Sequence, residues 1–417
     1  MGAGPGGTVQ TFDNIDGGAG TDTLDLVVRG NGGIPGNVDI ENVEIVNLIA
    51  QGANTVQSSV SFGGTTVTGV DANDFGDAAE EIWQVGAATN ILNLDEGQTA
   101  GFRNATVDDV VYASADVTSV NVVVDNVADD SLIGIVGEDL TSATVSGSVS
   151  RAGVAASSFG ADFEVDITND ANGDSDLTND STIETLNLAL SSDVELTITG
   201  AEDLVTLNAG DSTGGIRLVL PEIGTAIDGL EVENATFGSG DDLIVAASDV
   251  FAAEEVSLDL GEGDDTLTLV LDDVSGTDAT AVALNVAGGA GGDTFNISGG
   301  NVSAADVTDE EFTNTVTIGD FGGDDLLNLA DFTGFAAQTL INNTVAAQGA
   351  DASLFEVVSA IAALNNSGTN MTETAQFVFE GNTYVYQDKG TEGLNAGDVL
   401  VELTGVVTLD NDNVVSV

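Results

Sequence analysis

Glycines followed closely by aspartates recur along this 417-residue chain in a pattern able to bind a cation. The fullest copies, GGAGTDTLD (17–25) and GGAGGDTFN (288–296), fit G-G-x-G-x-D-x-U-x at every defined position, U being a large apolar residue. FGSGDDLIV (237–245) and LGEGDDTLT (260–268) lack only the first glycine, and DFGGDDLLN (320–328) keeps one glycine of the pattern, Gly323. Glycine permits φ > 0, so the backbone turns tightly and aims carbonyl oxygens inward. The aspartate adds a hard anionic oxygen, and U anchors the next strand in the core. Oxygens converging in this way suit Ca²⁺, which takes six to eight of them in flexible geometry. Gly-Asp sequences are also good turn formers, since Asp caps its own backbone and Gly supplies the left-handed conformation. One isolated copy would be read as a turn, whereas two full and two near matches point to Ca²⁺.

Each loop must be positioned by the strand ahead of it. Strands beginning at Leu204, Leu230, Val256 and Val282 alternate apolar and polar residues and are separated by three steps of 26 residues. A period of 20 to 50 residues signals a stacked repeat.

With these loops in this order, the sequence resembles the repeats-in-toxin family of secreted calcium-binding proteins, and more narrowly its S-layer-like members. The resemblance implies Asp22, Asp242, Asp265, Asp293 and Asp325 as side-chain ligands, with Gly17, Gly20, Gly238, Gly240, Gly261, Gly263, Gly288 and Gly291 forming the backbone of the sites. Family copies run in tandem every nine residues. Here the aspartates after Asp242 lie 23, 28 and 32 residues apart. Longer rungs are therefore expected, with a Gly-Asp corner recurring along one edge of the stack.

Composition narrows the function. Hydrophobic residues make up 42 % and aromatics 5 %, so the chain has a core, and that core is Val, Leu, Ile and Ala, which favours strands. Seventy acidic residues face five basic ones (Arg29, Arg103, Arg151, Arg217, Lys389), giving a net charge of −65. Such a chain repels itself without counter-ions. It also lacks the basic face that nucleic acid or an anionic membrane requires. Halophilic adaptation would produce the same acidity but does not concentrate carboxylates behind glycines. No run of 18 apolar residues is present to span a bilayer. The start, MGAGPGGTVQ, has neither the charged nor the apolar region of a signal peptide. There is no Cys and no His, so H-E-x-x-H zinc sites, Ser-His-Asp triads and Cys-His pairs are impossible. A carboxylate-pair glycosidase has no specific signal among seventy acids. The expectation is that the chain is not an enzyme.

Along the rest of the chain, 24–30, 43–52, 91–97, 117–127, 140–149 and 182–191 read as strands. Segment 71–86 reads as a short helix or a strand, with Trp83 as a core anchor. NDANGDSDLTND (169–180) is a solvated loop or an adventitious cation site. Near the end, Ser353 and Glu356 form a capping box ahead of one amphipathic helix, and QFVFEGNTYVYQD (376–388) alternates as a hairpin, followed by a last strand, 399–407. That ending resembles the C-terminal domain of type I secreted S-layer and repeats-in-toxin proteins. The resemblance implies export of the unfolded chain on an uncleaved C-terminal signal.

The expected fold is mainly β: a parallel β-solenoid with rungs of about 26 residues, calcium-binding Gly-Asp corners and a small C-terminal β-rich domain carrying one helix. Three regions follow: an N-terminal β-rich region (1–168), a calcium-binding solenoid (181–330) and a C-terminal helix and hairpin domain (331–417). The expected function is that of a secreted, calcium-dependent structural protein of a bacterial surface, assembling with itself into a layer, sheath or filament. Cell-surface polysaccharide is a further candidate partner, and nucleic acid and membrane insertion are excluded. The alternative is a calcium-stabilised adhesin or binding module of a larger secreted protein.

Overall fold

The computed structural model describes residues 2–3, 9, 13–28, 38–51, 58–62, 65–155, 158–167, 182–200, 203–219, 232–247, 255–271, 283–302, 304–312, 315–364, 374–389, 393–410 and 412–416. Among the described residues 49 % are strand and 9 % helix, so the chain is mainly β. It divides into two compact units, Met1–Arg217 and Leu218–Val417.

In the first unit, parallel strands alternate between two sheets. One contains Thr23–Val28, Ile45–Ala50, Glu81–Val85, Thr99–Arg103, Ser119–Val127, Ser142–Val149, Thr185–Leu190 and Thr206–Asn208, each paired with the next. The other contains Thr65–Asp71, Ile91–Leu94, Asp108–Ala113, Ser131–Val136, Ala161–Asp166 and Val194–Thr199. This alternation is the parallel β-solenoid expected from the sequence. Its register puts one apolar residue of each rung above the same residue of the last. Leu24, Val46, Ile82, Ala100, Val122, Val145 and Leu188 form one such column, all buried. Burying a Val, Leu or Ile side chain contributes about 1.5–3 kcal/mol relative to exposure, so the column fixes the register.

Segment 71–86 resolves into both alternatives, a 3₁₀ turn at Ala72–Phe75 and the strand Glu81–Val85. Trp83 is a core anchor, 7 % exposed. It packs against Gly101, where a Cβ would overlap its ring, and under the Arg103 guanidinium at 4.3 Å.

The second unit repeats the plan. Asn234–Thr236, Glu255–Asp259, Ala283–Ala287, Thr315–Ile318 and Val399–Leu403 pair in parallel in one sheet. Leu243–Ala247, Thr266–Leu271, Thr294–Gly299, Leu326–Leu329 and Val414–Ser416 do so in the other. Rung length is not constant. Leu230 and Val282, two of the origins that gave equal steps of 26, lie outside the described residues. The strands that follow them are in register at 23, 28 and 32 residues, the spacing of the aspartates. The corners hold the register, and the differences in length fall in the sequence between Ala247 and Glu255, Leu271 and Ala283, and Gly299 and Thr315.

Between Leu329 and Val399 the chain leaves the stack and builds its own core from Ile341, Val358, Ile361, Phe377 and Tyr386, among others. The expected helix is Leu354–Ala362, with both hydrogen bonds of the capping box formed. Two further helices, Ala304–Asp309 and Gln338–Gln348, were not expected. The second buries only Ile341, so it lacks the apolar stripe that identifies a helix in sequence. The hairpin is present as Ala375–Phe379 and Asn382–Gln387, antiparallel around Glu380 and Gly381. Both turn residues have positive φ, 46° and 93°, as a two-residue type I′ turn requires. The acidic interval 169–180 lies outside the described residues.

Candidate metal centre

Four Gly-Asp corners of the second unit stack on one another, each joining a strand of one sheet to a strand of the other. The stacking aligns Asp242, Asp265, Asp293 and Asp325, all buried, in a single column. The backbone N–H of Asp242 donates to Asp265 Oδ1 (2.7 Å), that of Asp265 to Asp293 Oδ1 (3.0 Å) and that of Asp293 to Asp325 Oδ1 (3.0 Å). The carboxylates of Asp265, Asp293 and Asp325 thus each hold the rung before them, and successive members of the column stand on adjacent strands, whose backbones are about 4.8 Å apart.

The glycines serve this contact. Gly261, Gly263 and Gly291 have φ of 97°, 134° and 152°. A Cβ on any of them would overlap a carbonyl of the preceding corner: Gly238 for Gly261, Gly240 for Gly263, Gly263 for Gly291. Gly288 does not have positive φ; the Asp293 carboxylate occupies the space its Cβ would need. The carbonyls of Gly238 and Gly261 each accept an N–H from the next corner, from Glu262 and Ala290, both at 2.8 Å. The corner is therefore a stack of carbonyls and carboxylates with little room for any side chain beyond the aspartates.

The electrostatics are those of crowded acids. Burial, followed by the charges of Asp242, Asp293 and Asp241, pushes Asp265 up to about 8. Burial also raises Asp293, with Asp325, Asp320 and Asp264 adding to the effect. Asp265 Oδ2 is buried and has no hydrogen-bond partner among the described residues. Two outcomes satisfy such a column, protons on its carboxyls or cations between them. Carboxylate and carbonyl oxygens at a tight turn are the donor set that Ca²⁺ takes.

Asp22, the fifth expected ligand, belongs to the first unit and is not part of this column. Its corner contains Gly17, whose N–H donates to Glu41 O (3.0 Å), and Gly20, with φ of 126°. The Asp22 N–H donates to Glu44 Oε2 (2.8 Å), so a glutamate of the next rung takes the place that aspartate holds in the second unit. Asp22 Oδ2 is buried and has no hydrogen-bond partner among the described residues. Glu44 was missed because no glycine precedes it.

Other residues also escaped the sequence reading. Asp241 and Asp264 form an exposed second column: Asp264 N–H donates to Asp241 Oδ1 (3.0 Å), and Gly292 N–H to Asp264 Oδ1 (2.9 Å). Asp320 accepts from the N–H groups of Gly288 (2.9 Å) and Gly289 (2.8 Å). The doubled aspartates of GDD were the available signal. In the first unit, ligand atoms of Asp129, Asp130 and Asp162 lie within 4.8 Å of one another. Those residues are partly or fully exposed; Asp162 follows Gly160 at the G-x-D spacing of the corners, whereas Asp129 and Asp130 have no glycine just ahead of them. Among the described residues, Arg103, Arg151 and Arg217 each pair with a carboxylate, Asp125, Asp193 and Glu195, at 2.6 to 2.9 Å, rather than forming a basic patch. No helix among the described residues is long and apolar enough to cross a membrane. The sequence matches no protein-family model and no curated protein, so the reading of the centre rests on its own geometry.

Proposed function

We propose that the chain is an extracellular, calcium-dependent structural protein of a bacterial surface, without enzymatic activity, that assembles with copies of itself. The observation that supports this most directly is the buried column Asp242, Asp265, Asp293 and Asp325. Like charges separated by one strand spacing, about 4.8 Å, repel by about 3–4 kcal/mol at an effective dielectric constant of 20. Ionised, the column needs a counter-charge between its members. Ca²⁺ fits better than Mg²⁺ because it tolerates irregular geometry and gives up its waters readily. The same argument applies to the whole chain, whose −65 charge opposes compaction.

Calcium binding would then be folding free energy. Scarce calcium inside the cell leaves the polyanion unfolded and exportable, and abundant calcium outside stabilises it by mass action. The resemblance of the loops and of the C-terminal segment to S-layer-like proteins supports the structural role. Electron microscopy of the purified protein tests the reading. Ordered layers or filaments are expected with millimolar Ca²⁺ and none with EDTA. Isolated particles in both conditions would sink the assembly, and ordered arrays in both would sink the calcium dependence.

A further inference from the structure

Residues 332–350, 374–379, 381–387 and 404–409 contain no Asp, Glu, Lys or Arg, in a chain with seventy acidic residues. The fold of the second unit gathers these four stretches onto one face. Helix Gln338–Gln348 lies beside strand Ala375–Phe379, where Gln338 Nε2 donates to Gln376 O (3.1 Å). The segment around Val407 closes the other side: Val407 N–H donates to Thr383 Oγ1 (2.8 Å), and Gln376 Nε2 donates to Leu409 O (2.7 Å). An open groove of about 480 Å³ lies between them, with Val345, Phe377 and Val378 in its lining. Val406 on the groove is 70 % exposed and Val378 45 %. The helix buries only Ile341, and its outer residues Asn342, Asn343 and Ala346 are exposed.

We propose that this face docks a second copy of the chain, the same face meeting itself. The argument is one of charge. Two chains of −65 repel on approach, and at physiological ionic strength only charges within about 8 Å act strongly on each other. Contact through the acidic remainder places carboxylate against carboxylate, whereas contact through this face places none. A basic partner would find nothing to pair with here and would go to the acidic surface instead. The complement of a neutral, valine-lined face on a polyanion is another neutral, valine-lined face, and a self-complementary patch closes as a two-fold dimer. Of the acids that border these stretches, Asp331, Asp351, Glu380, Asp388 and Asp410 are not buried, so solvent and salt can screen them, and Glu373 lies outside the described residues. This inference deepens the assembly reading and rests on it, supplying the first contact of the assembly.

The test is sedimentation velocity of the full chain in millimolar Ca²⁺ over a wide concentration range. The parent should dimerise, and more tightly as salt is raised, because screening removes repulsion while the contact itself contains no ion pairs. Val406→Glu should weaken the dimer by at least about tenfold, since it places an unpaired carboxylate in the contact. Val406 is exposed in the single chain, so an unchanged circular-dichroism spectrum will show that the variant folds. Val270→Glu, the same change on exposed residue 270 of the other sheet, should alter the dimer by no more than about twofold. A monomeric parent, or equal weakening by both variants, overturns the proposal. Ordered arrays formed by Val406→Glu as readily as by the parent also overturn this face but leave the assembly reading standing. A dimer sensitive to Val406→Glu without ordered arrays upholds the face and overturns the surface layer.

Discussion

Asp265 is held between two opposing demands. Its Oδ1 accepts the Asp242 N–H, which favours the ionised form, while burial among other carboxylates raises its pKa to about 8. A carboxyl whose folded pKa lies above its unfolded value of 3.8 keeps its proton in the native state after the unfolded chain has lost it. Its contribution to stability is therefore full below about pH 4 and is lost as pH rises through about 8. Asp293 is shifted in the same direction. In EDTA the melting temperature should accordingly fall between pH 4 and 8, and Ca²⁺ should reverse the trend, because the ion replaces the proton. Each proton displaced makes the apparent affinity rise by about tenfold per pH unit in this window. Asp265→Asn isolates the residue from the general charge of the chain: it keeps an acceptor for Asp242 N–H and removes the negative charge. It should be more stable than the parent in EDTA at pH 8, with a shallower pH slope. It should also lose calcium-dependent stabilisation, about 1.4 kcal/mol for each tenfold loss of affinity. Thermal melts across pH with EDTA and with Ca²⁺ measure all of this. A variant that matched the parent in both conditions would reduce Asp265 to a turn former.

At the scale of the element, GGAG at 17–20 and GGAG at 288–291 are the same four residues and do not have the same role. Gly18 and Gly289 occupy equivalent motif positions with nearly equal φ, 95° and 92°. A Cβ on Gly289 would overlap Gly261 O, while one on Gly18 would meet nothing within 4 Å. Both Gly→Ala substitutions incur the left-handed strain, about 1–2 kcal/mol, and Gly289→Ala must also push two rungs apart. Chemical denaturation should show Gly289→Ala costing at least about 1 kcal/mol more than Gly18→Ala. Equal costs would mean that the corners are not in contact. This pair also marks how far the sequence could be read. Motif, turn and the column Asp242, Asp265, Asp293, Asp325 were all legible, because spacings of 23, 28 and 32 residues are also the register of the strands. That Asp22 stands apart and is served by Glu44 was not, because stacking partners are chosen by a rung that carries no glycine signal. Helix Gln338–Gln348 was missed for the related reason that a helix burying one residue, Ile341, leaves no period to read.

For the whole molecule, the two units give different optical signals, which makes the calcium reading testable part by part. Trp83, the single tryptophan of the chain, lies in the first unit, whereas the column of four buried aspartates lies in the second. Among its described residues the first unit also has three arginine–carboxylate pairs linking its rungs, Arg103–Asp125, Arg151–Asp193 and Arg217–Glu195, which do not depend on an ion. Exposed pairs of this kind contribute little individually, about 0–1 kcal/mol, but they replace like-charge contacts that would otherwise repel. As free calcium is lowered at low ionic strength, the far-ultraviolet β signal should therefore begin to fall before Trp83 emission shifts. Restoring millimolar Ca²⁺ should return both signals. Mg²⁺ should do so poorly, because it demands near-ideal octahedral geometry and retains its waters. Sodium chloride shortens the screening length from about 30 Å at 0.01 M to about 3 Å at 1 M, so it relieves general repulsion without filling the column. Full recovery in concentrated salt without calcium would show that the acidity is halophilic. Simultaneous loss of both signals would show that the units unfold together. A β signal untouched by chelation at pH 8 would show that the buried column holds its protons, and would remove the ion from the account.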